Sequence, residues 1–164
     1  MKIYEPLYFW LHPSAPQWVI ILVLATVAAA TIACAVIDLK SMIIPNVITY
    51  PLLLGLLLGA PFLWQDWVTH LVAGLVCAAV FVSASFLKIR GQYAMGMGDA
   101  KLYTVAGLLL GLGALPCVII ATLSGTIIGL IQLRGAVDRH LPHGPHIALG
   151  ILVMIVVGCF GWLA

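Results

Sequence analysis

Two carboxylates stand where an ionisable group is costly to place. Asp38 lies in IDLKSMIIPN and Asp99 in GMGDAKL, each where a strongly apolar run meets a more polar stretch. An acid at the edge of a membrane span marks a functional site by default. Two carboxyls brought together in a low dielectric cannot both ionise easily, so they share one proton. The ionised member can then take a proton from water while the protonated member gives one to a leaving group. That is the requirement of peptide-bond hydrolysis. The titration belongs to the pair, so neither role is assigned to one residue. Taken singly, Asp38 reads as an interfacial residue reaching headgroup water, and Asp99 as a cap at a helix start. Their joint placement, on different spans at one depth, favours the pair. No other nucleophile has a setting. Ser41, Ser83, Ser85 and Ser124 belong to no GxSxG, and the cysteines have no histidine near them in sequence. Glu5 and Asp66 fall on the opposite side, and Asp138 lies in a basic loop.

The elements that must position these acids are apolar helices. The chain has 164 residues, of which 64% are hydrophobic and 7% charged. Its mean hydropathy is +1.21. A water-soluble domain needs far more polar surface. Apolar runs at roughly 18–37, 47–63, 68–87, 102–115, 117–133 and 147–163 read as six spans, some of them short enough to need tilt or local thinning. Continuous Leu, Ile, Val and Ala without alternation excludes a β-barrel reading. The expected fold is therefore an all-α polytopic membrane protein, with residues 1–164 forming a single integral-membrane domain. The fourth and fifth spans are separated only by Leu115-Pro116, which is read as a tight hairpin.

Charge gives the orientation. Lys40, Lys88, Arg90, Lys101, Arg134 and Arg139 all fall on one side and Lys2 on the other, which predicts a cytoplasmic acid side and two periplasmic termini. Trp10, Trp18, Trp64, Trp67 and Trp162 are expected at the outer interface, and the first 17 residues along it. The first span is read as uncleaved, because two prolines and several aromatics precede its apolar core. No basic run supports nucleic-acid binding.

The remaining features read as structural. Cys34, Cys77, Cys117 and Cys159 each sit alone in apolar sequence without a CxxC, and are expected to be buried thiols, with a Cys117–Cys159 bridge as the alternative. The pairs Gly55/Gly59, Gly107/Gly111 and Gly125/Gly129 read as helix-packing sites. His140, His143 and His146 are spaced by three. Pro142, Gly144 and Pro145 argue against a helix that aligns them, so they are read as solvated loop residues. No metal and no cofactor is expected.

IDLKSMIIPN, MGMGDAKLYTVAGLLLG and RHLPHGPHIALG, spread over about 37–150, together resemble the motifs of the bacterial type IV prepilin peptidases, polytopic aspartyl proteases of the GxGD type. The resemblance implies that Asp38 and Asp99 are the catalytic pair at the cytoplasmic face of the inner membrane. It implies cleavage of a short basic leader from a prepilin or pseudopilin, with membrane lipid as the other contact. Gly96 and Gly98 would shape the cleft, their freedom of backbone angle allowing a substrate strand to lie close. Lys101 would meet Asp99, lipid phosphate or substrate. Many members carry a preceding zinc-binding domain with CxxC pairs and methylate the new pilin terminus. This sequence shows neither feature, so it resembles a short form and methyl transfer is expected to be absent. His143 stands where the family pattern leads one to expect an aromatic residue. A proton- or cation-coupled transporter is the alternative, but transporters place such acids near the bilayer midplane. A presenilin-like GxGD protease fits the Pro-x-Gly-Pro stretch poorly.

Overall fold

The computed structural model describes residues 13–89, 92–93, 95–133 and 142–163. Among them are six α-helices: α1 (Gln17–Ser41), α2 (Asn46–Leu63), α3 (Trp67–Phe86), α4 (Met97–Leu110), α5 (Ala114–Leu133) and α6 (Gly144–Leu163). A two-residue antiparallel ladder, β1 (Lys88–Ile89) with β2 (Gln92–Tyr93), joins α3 to α4. Four helical stretches are long and apolar enough to cross a membrane: Gln17–Ser41, Asn46–Leu63, Trp67–Phe86 and Met97–Ile131. The apolar part of α6, Gly144–Cys159, is shorter.

Two boundaries differ from the apolar runs, and both bear on the acids. α1 continues to Ser41, so Asp38 lies inside its last turn. α4 starts at Met97, so Asp99 lies in its first turn. Apolar periodicity cannot find these ends, because each helix extends past the apolar residues into polar ones.

The turn between α4 and α5 also moves. It falls at Gly111–Gly113, a single 3-10 turn, rather than at Leu115-Pro116. Gly111 has φ +55°, a left-handed angle that suits glycine. Pro116 sits in the first turn of α5, where a missing N–H costs nothing. The hairpin itself holds. Tyr103 of α4 meets Thr122 of α5. In one straight helix those residues would be about 28 Å apart.

α4 is the centre of the molecule. Ala100, Leu102, Tyr103 and Val105–Leu110 are all buried in it, as expected for a helix apolar all round. It packs on α3 most closely, and also on α2 and α6; α1 and α5 lie chiefly against α6. The α3–α4 crossing is tight because Gly74 faces Gly107. A Cβ on Gly107 would stand 2.7 Å from the Ala73 carbonyl oxygen and 2.8 Å from Gly74 Cα. Of the glycines expected at packing sites, Gly55 and Gly129 have nothing within 4 Å and face outward. Gly59 meets only Leu63 of its own helix.

At the end away from the acids, residues 13–16 close over α2. Ser14 N–H donates to the Leu63 carbonyl at 3.0 Å, and its hydroxyl donates to the Phe62 carbonyl at 2.8 Å. Residues 1–12 of the expected interfacial segment lie outside the described residues, as does Trp10. Trp64, at the end of α2, is 1% exposed and stacked on His70 at 4.8 Å, so its indole packs against protein. All four cysteines are free; Cys34, Cys77 and Cys117 are buried and Cys159 is half-buried.

Candidate functional site

One end of the bundle gathers the last turns of α1 and α3 and the first turns of α2, α4 and α6. Asp38 is 5% exposed although it lies one turn from a helix end. Its Oδ2 accepts the Gly144 N–H at 2.9 Å, a bond that joins α1 to α6 across 106 residues of sequence. The approach needs glycine, since a Cβ on Gly144 would stand 2.8 Å from Asp38 Oδ2. α1 then ends at Met42, whose φ of 54° is left-handed and whose N–H returns to the Asp38 carbonyl at 2.8 Å. This turn sends the chain directly into Pro45 and α2.

Asp99 is half-buried in the first turn of α4, three residues after Gly96, the residue that caps that helix. The carboxyl leans back toward this cap: its Oδ2 lies 3.2 Å from where a Gly96 Cβ would be. An acid three positions into a helix commonly reaches back in this way. The charge of Asp38 is felt at Asp99, so the two acids lie within electrostatic reach at the same end of the bundle.

The two glycines of GMGD serve space rather than backbone angle. Gly96 has φ −74° and ψ 142°, which any residue adopts. Its missing side chain leaves room for the Asp99 carboxyl. Gly98 lies under the α1–α2 connection, where a Cβ would stand 2.7 Å from Ile44 Cβ. Both expected cleft residues therefore flank Asp99, but for a different physical reason than the one expected.

Lys101 turns away from Asp99. Its ammonium donates to Asn46 Oδ1 and lies 4.5 Å from the centre of the Tyr50 ring. It ties α4 to the start of α2 through an amide and a cation–π contact, in place of the expected Asp99 carboxylate.

The histidine reading needs correction. His143 is half-buried and His146 buried, so neither is a solvated loop residue; His140 lies outside the described residues. Pro145 does not break a helix. It occupies the first turn of α6, where proline is favoured, and so places both imidazoles inside the bundle. His143 Nε2 is 3.1 Å from the Tyr103 hydroxyl, and His146 Nδ1 is 3.1 Å from the Ser124 hydroxyl. Gly125 leaves space for them, since a Cβ there would stand 3.1 Å from His143 Cε1. Tyr103 is fully buried and stacks on Phe81 at 3.9 Å. Tyr103, His143, Gly125 and Gly144 thus join the acid end; the PHGPH spelling pointed to His143 and Gly144, and the GxxxG spacing marked Gly125 as a packing residue only.

The amino-acid sequence is matched by known proteins. The model of the type IV leader peptidase family matches residues 25–131, well over half of the chain and inclusive of both acids. The chain belongs to that family. A prepilin leader peptidase/N-methyltransferase of Aeromonas salmonicida (strain A449) is 36% identical over 142 residues, 81% of this chain and 45% of that protein. One from Pectobacterium carotovorum subsp. carotovorum is 35% identical over 159 residues, 91% of this chain and 54% of that protein. A type 4 prepilin-like proteins leader peptide-processing enzyme of Escherichia coli O78:H11 is 34% identical over 134 residues, 78% of this chain and 49% of that protein. The chain therefore spans about half the length of the curated relatives it matches. No solved structure matches it.

Proposed function

We propose that this chain is an intramembrane aspartyl endopeptidase that removes the leader peptide from prepilins or pseudopilins. The observation that carries the reading is the placement of Asp38, from the last turn of α1, and Asp99, from the first turn of α4, at one end of the bundle within electrostatic reach of each other. The names of the relatives and the family support the substrate class.

The chemistry follows from one proton shared by two carboxyls. The ionised carboxylate takes a proton from water as the water oxygen adds to the scissile carbonyl carbon. The carboxylic acid gives its proton to the amide nitrogen as the C–N bond breaks. The pair ends with one proton, now on the other member, and is ready again. The Gly144 N–H fixes one oxygen of Asp38 and leaves the other for water.

The six helices are taken as six crossings of the inner membrane, with both termini periplasmic and the acids at the cytoplasmic face. The support is the clustering of Lys40, Lys88 and Lys101 at the acid end. A leader cut beside a hydrophobic pilin helix would then reach the pair at the membrane boundary. Of the two activities in the relatives' names we assign this chain cleavage alone, the one that a pair of carboxyls can carry out.

The test is cleavage of a co-reconstituted prepilin by the purified protein. Asp38→Asn and Asp99→Asn are each expected to lower cleavage by at least about a thousandfold while inserting normally, since Asn keeps the shape but cannot exchange a proton. Substantial cleavage by either variant refutes the paired mechanism. Labelled methyl donor in the same reaction is expected to leave the processed product unlabelled, and label on it would refute the assignment of cleavage alone.

A further inference from the structure

The PHGPH segment carries an imidazole that the hydrolytic steps above do not use, and its position bears on Asp38. The inference drawn from it rests on the reading of Asp38 and Asp99 as the reacting pair. His143 immediately precedes Gly144, whose N–H holds Asp38 Oδ2. Its own ring is held by the Tyr103 hydroxyl at 3.1 Å. Tyr103 cannot easily yield, being fully buried against Phe81 and in contact with Thr122. A continuous path therefore runs from the packed centre of α4, through His143, to the peptide that orients Asp38. The charge of Asp38 is in turn felt at His143.

We propose that His143 is a positioning residue for Asp38: it anchors the Gly144 N–H on the carboxylate and, when protonated, sets a positive charge beside it. Among the described residues, the titratable groups around it are Asp38 on α1, Tyr103 on α4 with Asp99 in that helix's first turn, and His146 on α6. α5 presents Gly125, Thr122 and Ser124, none of which titrates near neutrality. Burial, and then His146, hold the imidazole below its usual range, while Asp38 opposes them. His143 thus gains its proton only under acidic conditions. There its charge resists the second protonation of the acid pair, which would leave no base. The direction follows: His143 extends the acid limb of activity to lower pH.

The test is kcat/KM against pH for the full protein, reconstituted with a prepilin, as wild type, His143→Phe and His143→Gln. Phe fills the space with an aromatic ring, and Gln keeps an acceptor for the Tyr103 hydroxyl. Both lose the titrating charge. The acid limb is expected to rise by about one pH unit in both variants, the lower end of what an opposite charge at short range produces, with the basic limb in place. kcat is expected to fall about tenfold in His143→Phe, where Tyr103 loses its partner, and to recover most of that loss in His143→Gln. Should Phe prevent folding, Gln alone decides the limb. Coincident acid limbs for wild type and His143→Gln overturn the proposal. An Asp38→Asn arm separates the two readings. If that variant still cleaves, the acid-pair reading fails and this inference with it. If it is inactive and the limbs coincide, this inference alone fails.

Discussion

At the residue scale, the site is defined as much by missing side chains as by the acids. A methyl on Gly144 would stand 2.8 Å from Asp38 Oδ2 and must displace either the carboxylate or the start of α6. Gly144→Ala is therefore expected to lower kcat/KM by about tenfold to a hundredfold, the worth of a hydrogen bond to a charged group. Gly129→Ala is the control, since nothing lies within 4 Å of that position. Equal cleavage rates for the two variants would show that the Gly144 contact is irrelevant to the reaction. The acids themselves were legible in the sequence, because a carboxylate beside an apolar run calls for a reason. Gly144 and His143 were not. Proline and glycine signal a break in the chain, yet at a helix start the same residues are favoured, and only the neighbouring helices decide between the two. The glycines of GMGD were legible as residues but not in their role. Backbone freedom was the expected reason, and close approach by Ile44 and by the Asp99 carboxyl is the observed one.

At the element scale, the α3–α4 crossing sets where Asp99 can stand. α4 carries the acid at its start and is clamped along its length by α3, at Gly74 and Gly107. Gly107→Ala forces backbone against backbone and cannot be relieved by a side-chain rotation. It is expected to destabilise the protein by about 1–3 kcal/mol, read as a lowered thermal midpoint in detergent. Gly55→Ala, on an open face, should leave the midpoint unchanged or slightly raised. An unaltered midpoint in Gly107→Ala would mean that the crossing tolerates separation. A search for glycines four apart finds Gly107 but not its partner, because Gly74 lies on another helix and belongs to no such pair. The α4–α5 turn was placed a few residues late for a related reason. Proline is a visible punctuation mark, whereas the left-handed angle at Gly111 is visible only in three dimensions.

At the scale of the whole molecule, the apolar runs gave the number of helices, and the charged residues gave the end at which they meet. On the proposed reading of six crossings, the C-terminus returns to the side on which the chain begins. A reporter fused after Ala164 is accordingly expected to behave as periplasmic, and one placed in the α1–α2 connection as cytoplasmic. A cytoplasmic result at Ala164 would leave an odd number of crossings and place α6 along the surface instead. The packing order was not legible in this way. That α4 is enclosed while α2 and α3 keep broad outward faces depends on small residues shared between helices, and hydropathy does not distinguish an outward Leu from an inward one in a chain this apolar.

Each acid also faces the beginning of a helix: Asp99 in the first turn of α4, and Asp38, itself in the last turn of α1, against the first peptide of α6. The amino end of a helix carries a fractional positive charge from its aligned peptide dipoles, worth about 0.3–1 kcal/mol to a nearby anion. On the proposed mechanism, the negative charge that the pair must retain is thus compensated in part by main chain, which no protonation can neutralise.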